Sequence, residues 1–182
     1  MIDPIKNIVL IGMPGSGKTT IGKILSEKLG YTFIDTDHLI CELTGKTPRL
    51  LVEEEGLEYF MKTQDEAVLS INDNNCIIST GGGLVHSEIS MNYLKSIGFI
   101  IYLDTKYDII RERMDSSRKL VRTAGTLLEL YNNRVPLYKK YADTVINCDS
   151  ADPDAVSGTI IGIMSSKKLY KLKEKGKKRY NE

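Results

Sequence analysis

Residues 12–19 constrain this chain more than any other segment, because they fit the phosphate-loop pattern G-x-x-x-x-G-K-[ST]. The apolar run at residues 7–11 precedes them and is typical of a buried parallel strand, and residues 20–29 carry apolar side chains at helical spacing. The pattern indicates a phosphate-binding loop only when it lies between a strand and a helix, as it does here. Glycine allows successive backbone N–H groups to face phosphate oxygens, and the helix N-terminus adds a positive dipole end. The segment therefore predicts a nucleoside triphosphate site.

The loop also indicates which side chains bind the nucleotide. Lys18 can reach the β- and γ-phosphates, and the Thr19 hydroxyl can bind Mg²⁺. Arg111 follows the fourth predicted strand and lies where a guanidinium can stack on the base. The residues predicted to bind the nucleotide are Gly12, Gly15, Ser16, Gly17, Lys18, Thr19, Thr20 and Arg111.

Apolar runs alternate with helical patterns along the rest of the chain, which favours βαβ units and a parallel sheet with helices on both faces. The predicted strands are residues 7–11, 31–35, 76–79, 99–103 and 144–147. The predicted helices are residues 20–29, 38–43, 50–69 with a break near Gly56, 87–96, 108–114, 127–141 and 152–164. Pro136 is expected either to kink the helix at 127–141 or to begin a new one. The sequence thus indicates a single three-layer α/β/α domain over residues 1–165.

Composition limits the location and the partners that we expect. A formal net charge of +1 gives no overall attraction to nucleic acid or anionic membranes, and no apolar run reaches the length of a membrane span. The N-terminus lacks a signal-peptide layout, and the three cysteines, which match no metal-binding pattern, are typical of reduced thiols. We expect a cytoplasmic monomer whose partner is a small-molecule substrate, with no nucleic acid and no membrane.

Residues 166–182 form a basic tail with little apolar content. Such a charge run is usually the solvated, frayed end of a domain. An arm that binds an anion or a partner protein is the alternative.

Two carboxylates follow the second predicted strand, at the edge where ligands bind in open α/β sheets. Asp35 and Asp37 are two residues apart, so alternation along a strand would point both side chains to the same side. One carboxylate could hold Mg²⁺ through water, while the other accepts a hydrogen bond from a substrate hydroxyl and serves as general base. A surface turn with two solvated acids is the alternative, which the nearby phosphate loop disfavours.

Further candidate ligand contacts follow the later strands. The three glycines at residues 81–83 come directly after the third strand and suggest that backbone approaches a ligand closely there. Residues 115–125 are polar and basic and are typical of a lid, in which Arg118, with Arg122 in reserve, could neutralise the transferring phosphate. Arg134 lies among apolar and aromatic residues, which suits bidentate capture of a carboxylate or phosphate.

Taken in order, these segments resemble the shikimate kinase family, which are small P-loop kinases of the nucleoside monophosphate kinase type. The resemblance covers residues 5–163 and rests on residues 12–19, 33–37, 81–83, 118–120, 134–138 and 142–143. It implies a five-stranded parallel sheet of the P-loop NTPase type with a short lid at about 115–125. It also implies ATP and Mg²⁺ as cofactors, and phosphorylation of a hydroxyl on a small cyclic carboxylate, which is shikimate in this family.

The resemblance also distributes roles among the candidate residues. Asp37 would orient and deprotonate the acceptor hydroxyl during in-line transfer, and Arg111 would contact the adenine. The residues implied to bind the substrate are Asp37, Gly81, Gly82, Gly83 and Arg134. Those implied to bind Mg²⁺ are Thr19 and Asp35, and those implied to act in catalysis are Lys18, Asp37 and Arg118.

Several departures from the family pattern concern the acceptor and the lid. The pattern G-E-x-x-F-R-x-x-E falls on residues 56–64, where Met61 replaces the substrate-binding arginine and Gln64 replaces its acidic partner. Losing both charges is self-consistent, since either one alone would be a partly buried, unpaired charge. The double change nevertheless removes half of the expected carboxylate clamp. The lid is also shorter than usual and has Lys119 in place of a proline.

Three functions are compatible with these departures. The first is shikimate kinase activity in which Arg134 holds the carboxylate nearly alone. The second is a related kinase that acts on another polyol or hydroxy acid. The third is a nucleotide-binding regulatory protein with little turnover, against which the intact Lys18, Asp35, Asp37 and Arg118 weigh.

Overall fold

The computed structural model describes residues 7–114, 125–149 and 152–178. The strands are β1 Asn7–Ile11, β2 Thr32–Asp35, β3 Cys76–Ser79, β4 Gly98–Asp104 and β5 Thr144–Asn147. The helices are α1 Lys18–Leu29, α2 Thr36–Thr44, α3 Pro48–Glu55, α4 Leu57–Leu69, α5 Glu88–Ile97, α6 Tyr107–Arg113, α7 Leu127–Tyr141 and α8 Pro153–Lys178, with a short 3-10 turn at Leu84–His86. Within these ranges, no helix combines the length and the apolar character required to span a bilayer.

All five strands form one parallel sheet in the order β2-β3-β1-β4-β5. β1 is central, because Val9 pairs with Ile78 of β3 on one side and with Ile100 of β4 on the other. The chain fills one half of the sheet with β2 and β3 and then crosses to the other half, so the connections diverge beside β1. A crevice forms at the carboxyl ends of the strands at such a point.

Helices cover both faces of the sheet, and alternate residues of each strand supply two separate cores. Val9, Ile78 and Tyr102 belong to the core that includes side chains of α4, α5 and α7. Leu10 and Ile77 belong to the core that includes side chains of α1 and α8. Because both faces of β1, β3 and β4 are buried, these strands are largely continuous apolar runs and not alternating patterns. The predicted three-layer α/β/α fold with a five-stranded parallel sheet is confirmed.

Some predicted boundaries are wrong. α2 begins at Thr36 instead of residue 38, because Asp35 caps it by accepting a hydrogen bond from the Asp37 backbone N–H at 3.0 Å. α7 contains Pro136 within one helix, so no new helix begins there. α8 continues to Lys178 instead of ending at residue 164, so it includes part of the basic tail. The solvated, frayed end that the sequence indicates for residues 166–182 stays a prediction.

Candidate active site

The phosphate loop connects the carboxyl end of β1 to the first turn of α1. Gly17 is the residue before the helix and has a left-handed conformation with φ of 94°, which favours glycine. At Gly12, a Cβ atom would lie only 2.9 Å from the Leu103 carbonyl oxygen, so no larger residue fits without movement of the backbone. These constraints hold the loop against the sheet and leave the N–H groups of the first turn of α1 free of helical partners. The loop therefore has the geometry of an anion site.

Lys18 lies over the loop, with only 8% of the residue exposed. Its ammonium group donates hydrogen bonds to the carbonyl oxygens of Gly12 and Met13, each at 2.8 Å. Burial lowers the pKa of Lys18 from its usual 10.5 to about 8, although the nearby Asp37 and Asp35 carboxylates oppose this change. Among the described residues, this ammonium group has hydrogen bonds to backbone carbonyls and no ion pair, so a phosphate brought to the loop would supply an anionic partner.

The two aspartates adopt a geometry that differs from the predicted one. Asp35 ends β2 and caps α2, whereas Asp37 lies in the first turn of α2. Alternation along a strand is therefore not what brings the two carboxylates together. The Thr19 hydroxyl donates a hydrogen bond to Asp35 Oδ2 at 3.3 Å, which joins the start of α1 to this pair.

Asp37 is an exposed residue that lines the cleft, although protein atoms near its carboxyl group partly remove that group from water. Its partial desolvation raises the pKa of Asp37 above its usual 3.8, and the neighbouring charge on Asp35 adds to this effect. Lys18 opposes both effects. A carboxylate with a raised pKa is a better proton acceptor at neutral pH than an ordinary surface aspartate.

The triple glycine, residues 81–83, follows β3 and packs against Asp37 and against the phosphate loop. The Gly81 backbone N–H donates to the Thr36 hydroxyl at 2.9 Å. A Cβ atom at Gly81 would collide with Oδ1 of Asp37, and one at Gly82 would lie 2.8 Å from the ring of Pro14. The absence of side chains here therefore allows backbone to lie beside the base candidate and the phosphate loop at once.

Arg134 of α7 lies beneath the same glycines, with only 8% of the residue exposed. A Cβ atom at Gly82 would be 3.3 Å from Nη1, and one at Gly83 would be 3.3 Å from Nη2. Burial lowers the pKa of Arg134, and its Nε atom has no hydrogen-bond partner among the described residues. A buried guanidinium with an unsatisfied donor is suited to an anionic ligand in the cleft.

Tyr138 connects these parts; it belongs to the segment 134–138 on which the family resemblance rests, but the sequence predicted no role for it. It lies one helical turn after Arg134, and its hydroxyl donates to the Gly82 carbonyl at 2.6 Å. Its ring stacks on that of Tyr102 with a centroid separation of 5.1 Å, and the Tyr102 hydroxyl donates to Asp104 at 2.8 Å. Both rings are fully buried. Tyr138 thus fixes the position of the triple glycine relative to α7.

These groups open into one cleft of about 1330 Å³ that extends from the phosphate loop to α3 and α4. The predicted residues that line it are Gly15, Ser16, Gly17, Lys18, Thr19, Thr20, Asp35, Asp37, Gly81, Gly82, Gly83 and Arg134. Met61 and Gln64 also line it, with the former 40% exposed and the latter only 4%. The cleft therefore brings together nearly all of the residues proposed for donor and acceptor.

Among the described residues, two predicted ones, Gly12 and Arg111, do not line the cleft. Arg111 does not line the cleft; its guanidinium lies 3.4 Å from Asp108 and 5.9 Å from the ring centre of Tyr107. Arg113 lines the cleft instead and donates a hydrogen bond to the Gly15 carbonyl at 3.4 Å. Residues of the predicted lid that lie outside the described ranges include Arg118, Lys119 and Arg122.

Comparison with known proteins assigns the whole arrangement to one family. The sequence model of the shikimate kinase family matches residues 14–165. A shikimate kinase from Marinomonas sp. (strain MWYL1) is 33% identical over 163 residues, which are 85% of this chain and 90% of the relative. One from Clostridium botulinum (strain Loch Maree / Type A3) is 35% identical over 91% of this chain and 98% of the relative.

The fold comparison agrees. The structure of shikimate kinase from Acinetobacter baumannii in complex with shikimate matches with a TM-score of 0.84 and 29% identity, covering 91% of this chain and 96% of that one. The sequence and the fold of this chain are thus both similar to those of shikimate kinases. This chain belongs to the shikimate kinase family.

Proposed function

We propose that this protein transfers the γ-phosphoryl group of ATP to a hydroxyl of shikimate, forming shikimate 3-phosphate. The observation that carries the proposal is the meeting of Asp37 and Arg134 at the triple glycine, in the same cleft as Lys18 and the phosphate loop. A proton acceptor, a carboxylate-binding cation and a phosphate-binding loop are the three groups that this reaction requires.

At the acceptor end, Asp37 accepts the hydrogen bond of the reacting hydroxyl and takes its proton during transfer. Its raised pKa supports this role, because the driving force for proton transfer increases as the pKa of the base rises toward the working pH. Arg134 holds the substrate carboxylate through its guanidinium group, whose Nε atom has no hydrogen-bond partner among the described residues. The glycines let the substrate lie directly against backbone.

At the donor end, the loop N–H groups and Lys18 bind the phosphates of ATP, and Lys18 moves from the loop carbonyls to the β- and γ-phosphates. The adjacent oxygen atoms of Thr19 and Asp35 would hold Mg²⁺, which prefers few protein ligands together with phosphate and water. When bound, Mg²⁺ supplies charge neutralisation at the transferring phosphate. We assign Arg118 to the same task, and base contact stays a prediction for Arg111.

A coupled assay of ADP formation tests the proposal with shikimate and a panel of other hydroxylated acids and polyols. Saturable turnover with shikimate supports it. Activity only with another acceptor would identify a related kinase, an alternative that the neutral Met61 and Gln64, two cleft-lining residues of α4, favour. ATP binding without turnover of any acceptor would indicate a nucleotide-binding regulatory protein. We also expect a cytoplasmic monomer, which size-exclusion chromatography and cell fractionation can check.

Tyr138→Phe is expected to raise the KM for shikimate several-fold and to leave the KM for ATP unchanged. The substitution keeps the ring stack but removes the hydrogen bond that positions Gly82, a loss of about 1 kcal/mol. Tyr102→Phe is the matched control, because it removes a hydroxyl from the stacked partner without contact to Gly82. Equal shifts in the KM for shikimate in both variants would show that the effect is general destabilisation.

A further inference from the structure

The acceptor end of the cleft has a second wall, which is built by α3 and α4. The cleft-lining residues of this wall are Pro48, Arg49, Leu57, Phe60, Met61 and Gln64. The wall adjoins the base candidate, because Phe60 and Leu51 pack with Ile40 of α2 in a small core. It also adjoins the segment after the triple glycine, since Ser87 donates a hydrogen bond to Asp65 of α4. A substrate held at Asp37 therefore faces this wall.

Arg49 is the one charged residue among the cleft-lining residues of this wall. We infer that Arg49 supplies the second cation of the acceptor site and pairs, together with Arg134, with the carboxylate of the substrate. This inference rests on the proposed function. It assigns to Arg49 the binding of the substrate carboxylate for which the family uses an arginine at the position of Met61. Arg49 is thus a substrate-binding residue that decides the preference for an anionic acceptor.

The present contacts of Arg49 leave it available for a ligand. Its Nε donates to Glu53 Oε1 at 2.7 Å, in a pair whose side chains are 46% and 53% exposed. Exposed pairs at this helical spacing contribute little to stability, so exchanging Glu53 for a ligand carboxylate costs little. Its Nη1 and Nη2 atoms have no partner in the part of the chain that the structure describes. These two nitrogens can bind one carboxylate in a bidentate fashion.

The position of Arg49 in α3 also supports a role outside the helix. α3 begins at Pro48 after the cap residue Thr47, so Arg49 lies in the first turn. A cation is unfavourable there, because the helix dipole already places partial positive charge at this end. The charge of Arg49 therefore has no favourable interaction with the dipole at this end of α3. Charge and dipole instead add to a positive potential at the cleft, which attracts an anionic substrate.

Steady-state kinetics of Arg49→Gln test the inference. We expect the KM for shikimate to rise about tenfold, which is the size of one charged hydrogen-bonded contact, while the KM for ATP stays unchanged. Lys46→Gln is the matched control, because Lys46 forms ion pairs with Glu54 and Glu55 at the end of the same helix but does not line the cleft. An unchanged KM for shikimate in Arg49→Gln, or an equal rise in Lys46→Gln, would overturn the inference.

Two further variants separate ligand binding from a role in folding. Glu53→Gln breaks the same ion pair but releases Arg49, so the KM for shikimate should stay equal or fall; a rise like that of Arg49→Gln would contradict us. Met61→Arg in the Arg49→Gln background should restore the KM, since it returns a cation to the same wall. If the wild-type protein does not phosphorylate shikimate at all, the proposed function fails and the inference fails with it. If the wild-type protein phosphorylates shikimate and Arg49→Gln has the same KM for shikimate, only the inference is overturned and the proposed function stands.

Discussion

Asp37→Asn is expected to lower kcat for shikimate phosphorylation by about 10²–10⁴-fold, the range in which a positioned general base contributes. The amide has the same size and can still accept a hydrogen bond, but it cannot take the proton of the hydroxyl. ATP should bind with nearly unchanged affinity, because the phosphate loop and Lys18 are intact. Strongly lowered turnover with retained nucleotide binding is therefore the expected result, measured by a coupled assay and by titration calorimetry.

The pH dependence of the same variant gives a second measurement. Asp37 must be ionised to act as base, so kcat/KM for shikimate in the wild-type protein falls as the pH is lowered through its raised pKa. Asp37→Asn should lose this acidic limb from its residual rate. Glu42→Gln is the control, because Glu42 is an exposed residue of the same helix, paired with His38 away from the cleft. A residual kcat within tenfold of wild type would show that Asp37 orients the hydroxyl without removing its proton.

Much of the fold and of the donor site could be predicted because the signals are local. Strands buried on both faces are continuous apolar runs, and β1, β3 and β4 have that character in the sequence. The phosphate loop has its function in consecutive residues, so its pattern alone predicts Lys18 and Thr19. In both cases the residues that act together in the structure are also neighbours in the sequence.

Asp35 and Asp37 were identified for a reason that the structure contradicts. Strand periodicity predicted a shared side, but the strand ends at Asp35, which caps α2 through the Asp37 N–H. An aspartate that is followed by a helical pattern is a recognised N-cap signal, and it competes with strand periodicity at such a junction. The two principles gave the same residues and different geometry, and only coordinates could decide between them.

Tyr138 and Arg49 show what the sequence could not predict. The Tyr138 hydroxyl bonds to a backbone carbonyl 56 residues away, and no local periodicity encodes such a contact. Arg49 has the appearance of an ordinary solvent-exposed member of an i,i+4 pair with Glu53. Its position on the cleft wall depends on how α3 and α4 pack beside α2. Long-range packing, and not residue type, distinguishes these two residues from the other tyrosines and arginines of the chain.

Lys18→Met is expected to lower kcat by about 10²–10³-fold, the effect of removing one preorganised donor from developing negative charge. Methionine fills nearly the same volume but cannot contact the β- and γ-phosphates, so ATP affinity should also fall. Lys23→Met is the matched control, since Lys23 is an exposed lysine of the same helix that does not line the cleft. Wild-type ATP affinity in Lys18→Met would contradict the assignment of Lys18 to the phosphates.

The stability of Lys18→Met provides a test that does not depend on turnover. In the folded protein the pKa of Lys18 is about 8, below the usual 10.5 expected for the unfolded chain. Between these two pH values the unfolded chain therefore binds more protons at Lys18, and raising the pH through this window stabilises the wild-type protein relative to Lys18→Met. The difference in free energy of unfolding, measured by urea denaturation at pH 7 and pH 10, should grow in favour of wild type. A difference independent of pH would mean that the Lys18 ammonium group keeps its ordinary pKa, and that its burial over the loop carries no electrostatic cost that ATP binding could relieve.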